Sequence, residues 1–168
     1  MIVSFDDDSY RYLYDLASKR NEKSPYTKNR RISNIDDLTI NFMGVLGEAA
    51  VARVLGAQFD RNVYQFRGDT HSADISTSDL GGIEVKTTRM DSRSLILNGL
   101  DELIHDIYIL CYVSVIDRHV SCDVDIVGWT NKENFIKNYR SANYGYGDRV
   151  VLDELNLAPV EWICVEDC

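Results

Sequence analysis

The chain has 168 residues, 45% of them apolar, which is enough for one domain with a hydrophobic core and too short for two. Its 18 basic and 27 acidic residues give a net charge of −9, which argues against a general nucleic-acid coat protein. No apolar run is long enough to cross a bilayer and the N-terminus lacks a signal-peptide pattern, so we expect a cytoplasmic protein with no membrane partner. The four cysteines form no C-x-x-C pair, which is typical of reduced thiols.

Two helices are predicted in the first third of the chain. Residues 6–20 carry apolar side chains at spacings of three and four. A second helix is predicted from about Ser33 to Gly56, and its nearly continuous apolar run predicts that it is buried on most sides. Small or polar residues interrupt that run along one narrow stripe, at Asn41, Gly44, Glu48 and Ala52.

The rest of the chain predicts a mixture of strands and helices. In chain order these are strands near 58–66, 72–77 and 82–88, a helix near 93–105, strands at 106–116 and 124–129, a helix from Thr130 to about Tyr139, a loop at 139–149 and short β pieces at 149–166. We divide this single domain into an N-terminal helix with a basic segment (1–35), a core (36–140) and a C-terminal extension (141–168). The predicted fold class is α/β in the broad sense that includes α+β.

The stretch GGIEVKTT, residues 81–88, places an acid and a base on one face of a predicted strand. Residues two apart on a strand share a face, so Glu84 and Lys86 point the same way. If the preceding strand pairs with this one as a hairpin, Asp74 lies beside Glu84. Two adjacent carboxylates repel each other unless a cation joins them, and their hard oxygens suit Mg²⁺ or Mn²⁺.

This set of side chains suits hydrolysis of a phosphodiester. Asp74 and Glu84 are predicted to hold the metal ion, with the carbonyl of Val85 as a further ligand. Glu48, from the buried helix, is predicted to complete the metal shell or to hold a metal-bound water. Lys86 is predicted to orient or deprotonate the attacking water. An alternative remains open: Glu84 and Lys86 form a solvated surface pair worth about 0–1 kcal/mol.

Several pieces of the sequence together resemble the PD-(D/E)XK nuclease superfamily. The matching pieces are GEAAVARVLG, SADI, IEVKTT and DIYILCYV, in that order over roughly residues 40–137. The resemblance implies a restriction-endonuclease-like fold, with a mixed central β-sheet flanked by helices and the core order αβββαβ. It implies a Mg²⁺-dependent nuclease in which Asp74, Glu84, Lys86 and Glu48 are the catalytic residues. Ala73 precedes Asp74 where the superfamily's name has a proline.

A basic segment is the predicted contact to nucleic acid, with DNA preferred over RNA as the substrate. Residues 19–31 contain six basic residues and one acidic residue in an otherwise acidic chain. The predicted phosphate contacts are Lys19, Arg20, Lys23, Lys28, Arg30 and Arg31. A solvated loop is the alternative for this segment. A homodimer is compatible with the sequence, and two rival functions stay open: a catalytically silent nuclease fold that binds or regulates, and an acidic protein that mimics nucleic acid.

Overall fold

The structure is a computed structural model that describes residues 1–23, 36–63, 73–89, 91, 93–116, 119–145 and 147–163, except for the side chain of Trp162. The helices are α1 (Asp7–Lys23), α2 (Asp37–Val54) and α3 (Lys132–Asn138). The strands are β1 (Ile2–Ser4), β2 (Ile75–Thr77), β3 (Gly81–Thr88), β4 (Leu95–Leu97), β5 (Ile107–Ile116), β6 (His119–Asn131), β7 (Arg140–Asn143) and β8 (Asp148–Leu152). Short 3₁₀ turns occupy Leu100–Glu102, Glu154–Asn156 and Val160–Trp162.

The strands form two sheets. The larger has the order β1-β6-β5-β3-β2, and the smaller has the order β4-β8-β7. In the larger sheet β3 and β5 run parallel, whereas the pairs β1–β6, β5–β6 and β2–β3 are antiparallel. The predicted mixed sheet in an α+β protein is therefore confirmed at this level.

The larger sheet has a hydrophobic core on each of its faces. On one face, Ile83 and Val85 of β3 pack with the buried residues of α2. On the other face, Tyr108 and Leu110 of β5 pack with the smaller sheet and Phe135. Alternate residues of β3 therefore face different layers, as the strand period requires.

Gly47 allows α2 to lie close against β3. A Cβ atom at this position would lie 2.1 Å from Oγ1 of Thr87 and 3.4 Å from Cγ1 of Val85. Gly47 is not part of the predicted stripe of Asn41, Gly44, Glu48 and Ala52, yet it is the glycine at which the helix meets the sheet. At Gly44, on the same helix, a Cβ atom would meet nothing within 4 Å.

The helix boundaries differ from the predicted ones because the capping residues differ. Asp36 caps α2, accepting a hydrogen bond from the amide of Thr39 at 2.8 Å, whereas the predicted start at Ser33 lies outside the described residues. Asn131 caps α3 in place of the predicted Thr130, accepting from the amide of Asn134 at 2.8 Å.

Three predicted elements are wrong. The predicted helix near 93–105 is instead β4 followed by a 3₁₀ turn, so the predicted order αβββαβ lacks its second helix. In the predicted strand 58–66, only Phe59 forms a bridge, to Ile75, and 64–66 lie outside the described residues. The predicted loop at 139–149 contains β7 and the start of β8, which pair as a hairpin.

Two further regions also differ from prediction. Strand β1 was not predicted, and it pairs with β6 at the edge of the larger sheet. Between β8 and residue 163, where the described part of the chain ends, the structure has two 3₁₀ turns and one bridge, between Ala158 and Trp129, in place of the predicted β pieces. Among the helices that the structure describes, none has the length and apolar character needed to cross a membrane.

Candidate functional site

The pairing of β2 with β3 brings Asp74 beside the acid–base strand. Ile75 pairs with Ile83, and Asp74 immediately precedes β2. The carboxylate of Asp74 accepts a hydrogen bond from the backbone amide of Val85 at 2.8 Å. The side chain therefore takes the place that a strand carbonyl would have, and it is fixed between Glu84 and Lys86.

Glu84 and Lys86 share the face of β3 that is opposite α2. Their Cα partners in the parallel ladder are Tyr108 and Leu110, which belong to the second core. Lys86 Nζ lies 2.5 Å from Glu84 Oε1, and the two side chains are 35% and 20% exposed. The predicted shared face is therefore present, and the pair is partly buried rather than fully solvated.

The pKa of Lys86 shows which role the lysine can take. Burial lowers its pKa, but the ion pair with Glu84 and the nearby charges of Asp74 and Glu102 outweigh this, so the net shift is upward. Lys86 is accordingly a protonated ammonium at neutral pH while Glu84 stays on it. An ammonium cation donates hydrogen bonds and stabilises negative charge, but it cannot accept a proton.

The pKa of Asp74 depends on the other charged groups of the site. Burial, followed by the charge of Glu84, raises the pKa of Asp74 to about 6, although the amide of Val85 and the cations Lys86 and Arg20 act in the opposite direction. Two carboxylates that repel each other in a partly buried position favour either a shared proton or a bound cation.

Glu48 reaches the same region from α2. Burial, followed by the charge of Asp74, raises the pKa of Glu48, while Arg20 opposes this rise. Arg20 Nη1 lies 3.0 and 3.2 Å from the two carboxylate oxygens of Glu48, and the side chains are 21% and 12% exposed. The one carboxylate in the predicted apolar helix therefore has a cationic partner on α1.

Arg20 also connects the segment after α2 to the site. Its guanidinium group donates hydrogen bonds to the backbone carbonyls of Asp60 and Asn62, the latter at 3.3 Å. The amide of Asp60 in turn donates to the carbonyl of Asp74 at 2.9 Å. One arginine thus joins α1, α2 and the strand edge that carries Asp74.

The other predicted phosphate contacts lie around this arginine or beyond the described residues. Lys19 and Lys23 are exposed on the last turns of α1. Arg20 is turned inward onto Glu48, so a phosphate would have to compete for its guanidinium group. Lys28, Arg30 and Arg31 lie outside the described residues, and their nucleic-acid contacts stay a prediction.

His105 is a member of the site that sequence reasoning left out. Its Nε2 atom lies 3.4 Å from Oε2 of Glu84, and its side chain is 10% exposed. Gly82 makes room for the ring, because a Cβ atom there would lie 3.2 Å from Nδ1 of His105. No local signal identifies His105, since the parallel register of β3 and β5 is what brings it to Glu84.

The carboxylate oxygens of the site are the kind of ligand that a hard divalent cation prefers. Two of the three carboxylates, however, form ion pairs with cations of the chain. Asp74 and Glu84 supply adjacent carboxylate oxygens, and the raised pKa of Asp74 is the electrostatic strain that a cation relieves. Among the residues that the structure describes, no three Asp, Glu, His or Cys side chains form a group that could hold a metal ion. Glu48 and Glu84 contact Arg20 and Lys86 instead, so both would have to turn to join Asp74.

The sequence was also compared with known proteins. No protein-family model matches this chain, and no curated protein matches it.

Proposed function

We propose that this protein is a metal-dependent nuclease with a restriction-endonuclease-like core, hydrolysing phosphodiester bonds of DNA in preference to RNA. One observation carries the proposal: Asp74 is fixed to the amide of Val85, between an acid and a lysine that are themselves ion-paired. A partly buried pair of repelling carboxylates with a neighbouring ammonium suits a cation and an anionic substrate together.

The residues proposed to hold Mg²⁺, or Mn²⁺ in its place, are Asp74 and Glu84, with the Val85 carbonyl and Glu48 as further ligands. The ion supplies Lewis-acid polarisation of the phosphoryl oxygens. Glu84 can turn toward Asp74 only by loosening its contact with Lys86, which lies 2.5 Å away. In this proposal, binding of the metal ion therefore requires that Lys86 leaves Glu84.

Lys86, once released, is proposed to act on the substrate as a cation. Its ammonium group donates hydrogen bonds to the attacking water and to a phosphoryl oxygen. In the hydrolysis, the water oxygen bonds to phosphorus and gives up one proton to the solvent, the bond from phosphorus to the leaving oxygen breaks, and the leaving oxygen takes up one proton from the solvent. Negative charge grows on the phosphoryl oxygens as this happens, and a fixed cation at that place stabilises the transition state. Before this release Glu84 raises the pKa of Lys86, so the side chain enters the site as an ammonium group.

A direct assay tests the proposal. The purified protein is incubated with fluorescently labelled single-stranded DNA, duplex DNA and RNA, in Mg²⁺ or Mn²⁺ and again with excess EDTA. We expect cleavage only with the divalent ion, and faster on DNA than on RNA. Intact substrates under every condition would remove the proposed activity.

A catalytically silent nucleic-acid-binding protein is the second candidate. The observation that favours it is the existing pairing, because Glu48 and Glu84 each already contact a cation of the chain. The same assay separates the two, since a silent protein shifts the labelled strand in a binding gel and leaves its length unchanged.

A further inference from the structure

We propose that a cleft beside Asp74 binds one nucleotide of an unpaired nucleic-acid strand, with Arg61 on its phosphate and Tyr12 against its base. The cleft lies between α1, α2 and the segment 57–61, and its volume is about 430 Å³. Clefts of this size are typical of sites for small-molecule-sized groups, and a double helix does not fit into one. The inference rests on the proposed nuclease function and adds the class of substrate to it.

The backbone joins one wall of the cleft to the segment that carries Asp74. Phe59, which lines the cleft, bridges to Ile75, and the amide of Asp60 donates to the carbonyl of Asp74 at 2.9 Å. Arg61 is the next residue along the chain. The segment that carries Arg61 is therefore paired through its backbone with the segment that carries Asp74, the acid that is proposed to bind the metal.

Among the residues that the structure describes, Arg61 is a cation with no carboxylate partner. Within the described part of the chain it makes no ion pair, and its side chain is exposed. Its guanidinium carbon lies 5.3 Å from the ring centre of Phe59 and 5.9 Å from that of Tyr12. Contact with the rings leaves the N–H groups at the edge of the guanidinium plane, where a phosphate can bind them.

A second arginine adds positive charge to the lining of the cleft. Arg53 also lines it, stacks 4.5 Å from the ring centre of Phe5, and donates to the carbonyl of Ser4 at 2.8 Å. Asp8 at the rim contributes one negative charge against these two positive ones. In a chain with a net charge of −9, a cleft with two guanidinium groups and one carboxylate favours an anionic occupant.

Tyr12 supplies the surface for a base. Its side chain is 49% exposed, although its ring lines the cleft. The opposite wall of α2 presents the small residues Ala49 and Ala52, which leave room for a flat group. Only an unpaired strand offers a free base face to such a ring, because the bases of a duplex are stacked on each other.

The same face of α1 leads from the cleft toward the predicted basic surface. Lys19 lies seven residues after Tyr12, which is about two helical turns, and Lys23 lies one turn further. Both lysines are exposed. A strand that leaves the cleft along this face therefore meets successive positive charges.

Fluorescence anisotropy with a labelled oligothymidylate tests the inference, in Ca²⁺ buffer so that the strand is not cut. We expect Arg61→Gln to weaken binding about tenfold and to reduce the slope of log K against log salt by about 0.7, the value for one lost contact on a single strand. Tyr12→Ala is expected to weaken binding by about 1–3 kcal/mol, that is roughly 5- to 150-fold, with an unchanged slope, and Tyr12→Phe is expected to restore it. Lys137→Gln removes one exposed charge from α3, away from the cleft, and is the control.

The outcomes separate this inference from the proposed function. If the wild-type protein cleaves DNA but Arg61→Gln and Tyr12→Ala bind the oligothymidylate as Lys137→Gln does, the cleft is not the strand site and the nuclease proposal stands. Equal losses on a blunt duplex and on the single strand would overturn the assignment of an unpaired strand. If the wild type neither binds nor cleaves nucleic acid, both the strand site and the nuclease proposal are wrong.

Discussion

Asp74 Oδ2 accepts a hydrogen bond of 2.8 Å from the backbone amide of Val85. This contact holds the aspartate just before the first residue of β2, next to the last pair of the β2–β3 ladder. It explains why the acid and the strand that carries Glu84 and Lys86 form one unit, and why the charge of Asp74 depends on both of those side chains.

Asp74→Asn is expected to change how the stability of the metal-free protein depends on pH. The pKa of Asp74 is raised from 3.8 to about 6 on folding, so the folded state holds this proton longer than the unfolded state does. The contribution of Asp74 to the unfolding free energy therefore falls as pH rises from about 4 to about 6 and stays lost above that. The variant lacks this loss, and urea unfolding at pH 7.5 is expected to show it more stable by roughly 1–3 kcal/mol.

The comparison across pH supplies the control. Asparagine can still accept from the amide of Val85 through its side-chain oxygen, so the packing of β2 is kept. Near pH 4 the advantage of the variant should disappear, because wild-type Asp74 is then protonated in the folded state. A constant difference between the two proteins from pH 4 to 8 would contradict the raised pKa.

Arg20→Ala is expected to destabilise the protein by about 2–4 kcal/mol. The change removes the guanidinium group from the partly buried Glu48, whose already raised pKa then rises further, and takes one hydrogen-bond donor from the carbonyls of Asp60 and Asn62. Guanidinium chloride unfolding measures the loss. In the double variant Arg20→Ala/Glu48→Gln the loss should be smaller than in Arg20→Ala alone at pH values well above the raised pKa of Glu48, because glutamine cannot ionise there. An Arg20→Ala protein as stable as the wild type would mean that the pair is not formed in solution.

Two glycines of α2 give a matched test of the packing against β3. Gly47→Ala is expected to cost about 1–3 kcal/mol, since the new Cβ would lie 2.1 Å from Oγ1 of Thr87. Gly44→Ala meets nothing within 4 Å and is expected to stabilise by about 0.5–1 kcal/mol through helix propensity. Thermal unfolding measures the change in stability of both variants. Equal changes of the same sign would show that α2 does not approach β3 at Gly47.

The elements that the sequence predicts well have local patterns. The apolar run of α2 and the alternation of β3 each identify their element without any partner. The predicted helix at 93–105 failed because its leucines and isoleucines are also compatible with a strand. Leu95–Leu97 is a strand because it pairs with Val150–Leu152, which lies more than fifty residues later.

The site shows the same division. Asp74, Glu84 and Lys86 were found because the hairpin and the two-residue strand period are properties of adjacent sequence. His105 and Arg20 were missed as partners because they reach Glu84 and Glu48 through tertiary packing. A lone histidine and an arginine within a basic segment carry no local sign of such partners.

Neutralising the exposed lysines of α1 tests the predicted nucleic-acid surface. Lys19→Gln/Lys23→Gln is expected to weaken duplex DNA binding for all sequences alike, because phosphate contacts carry no sequence information. The slope of log K against log salt should fall by about 0.9 for each lost contact. Titrations at several salt concentrations measure it. An unchanged slope would identify these two lysines as ordinary solvated side chains.

The most direct measurement of the central claim is cleavage of labelled DNA by Lys86→Ala in Mn²⁺, with calorimetric titration of Mn²⁺ into the same protein. Lys86 is proposed as the cation that stabilises the transition state and not as a ligand, so cleavage is expected to fall by at least about a hundredfold while Mn²⁺ binding is kept. Glu84→Ala should lose both cleavage and most of the Mn²⁺ affinity. Cleavage by Lys86→Ala at the wild-type rate would contradict the assignment of this site.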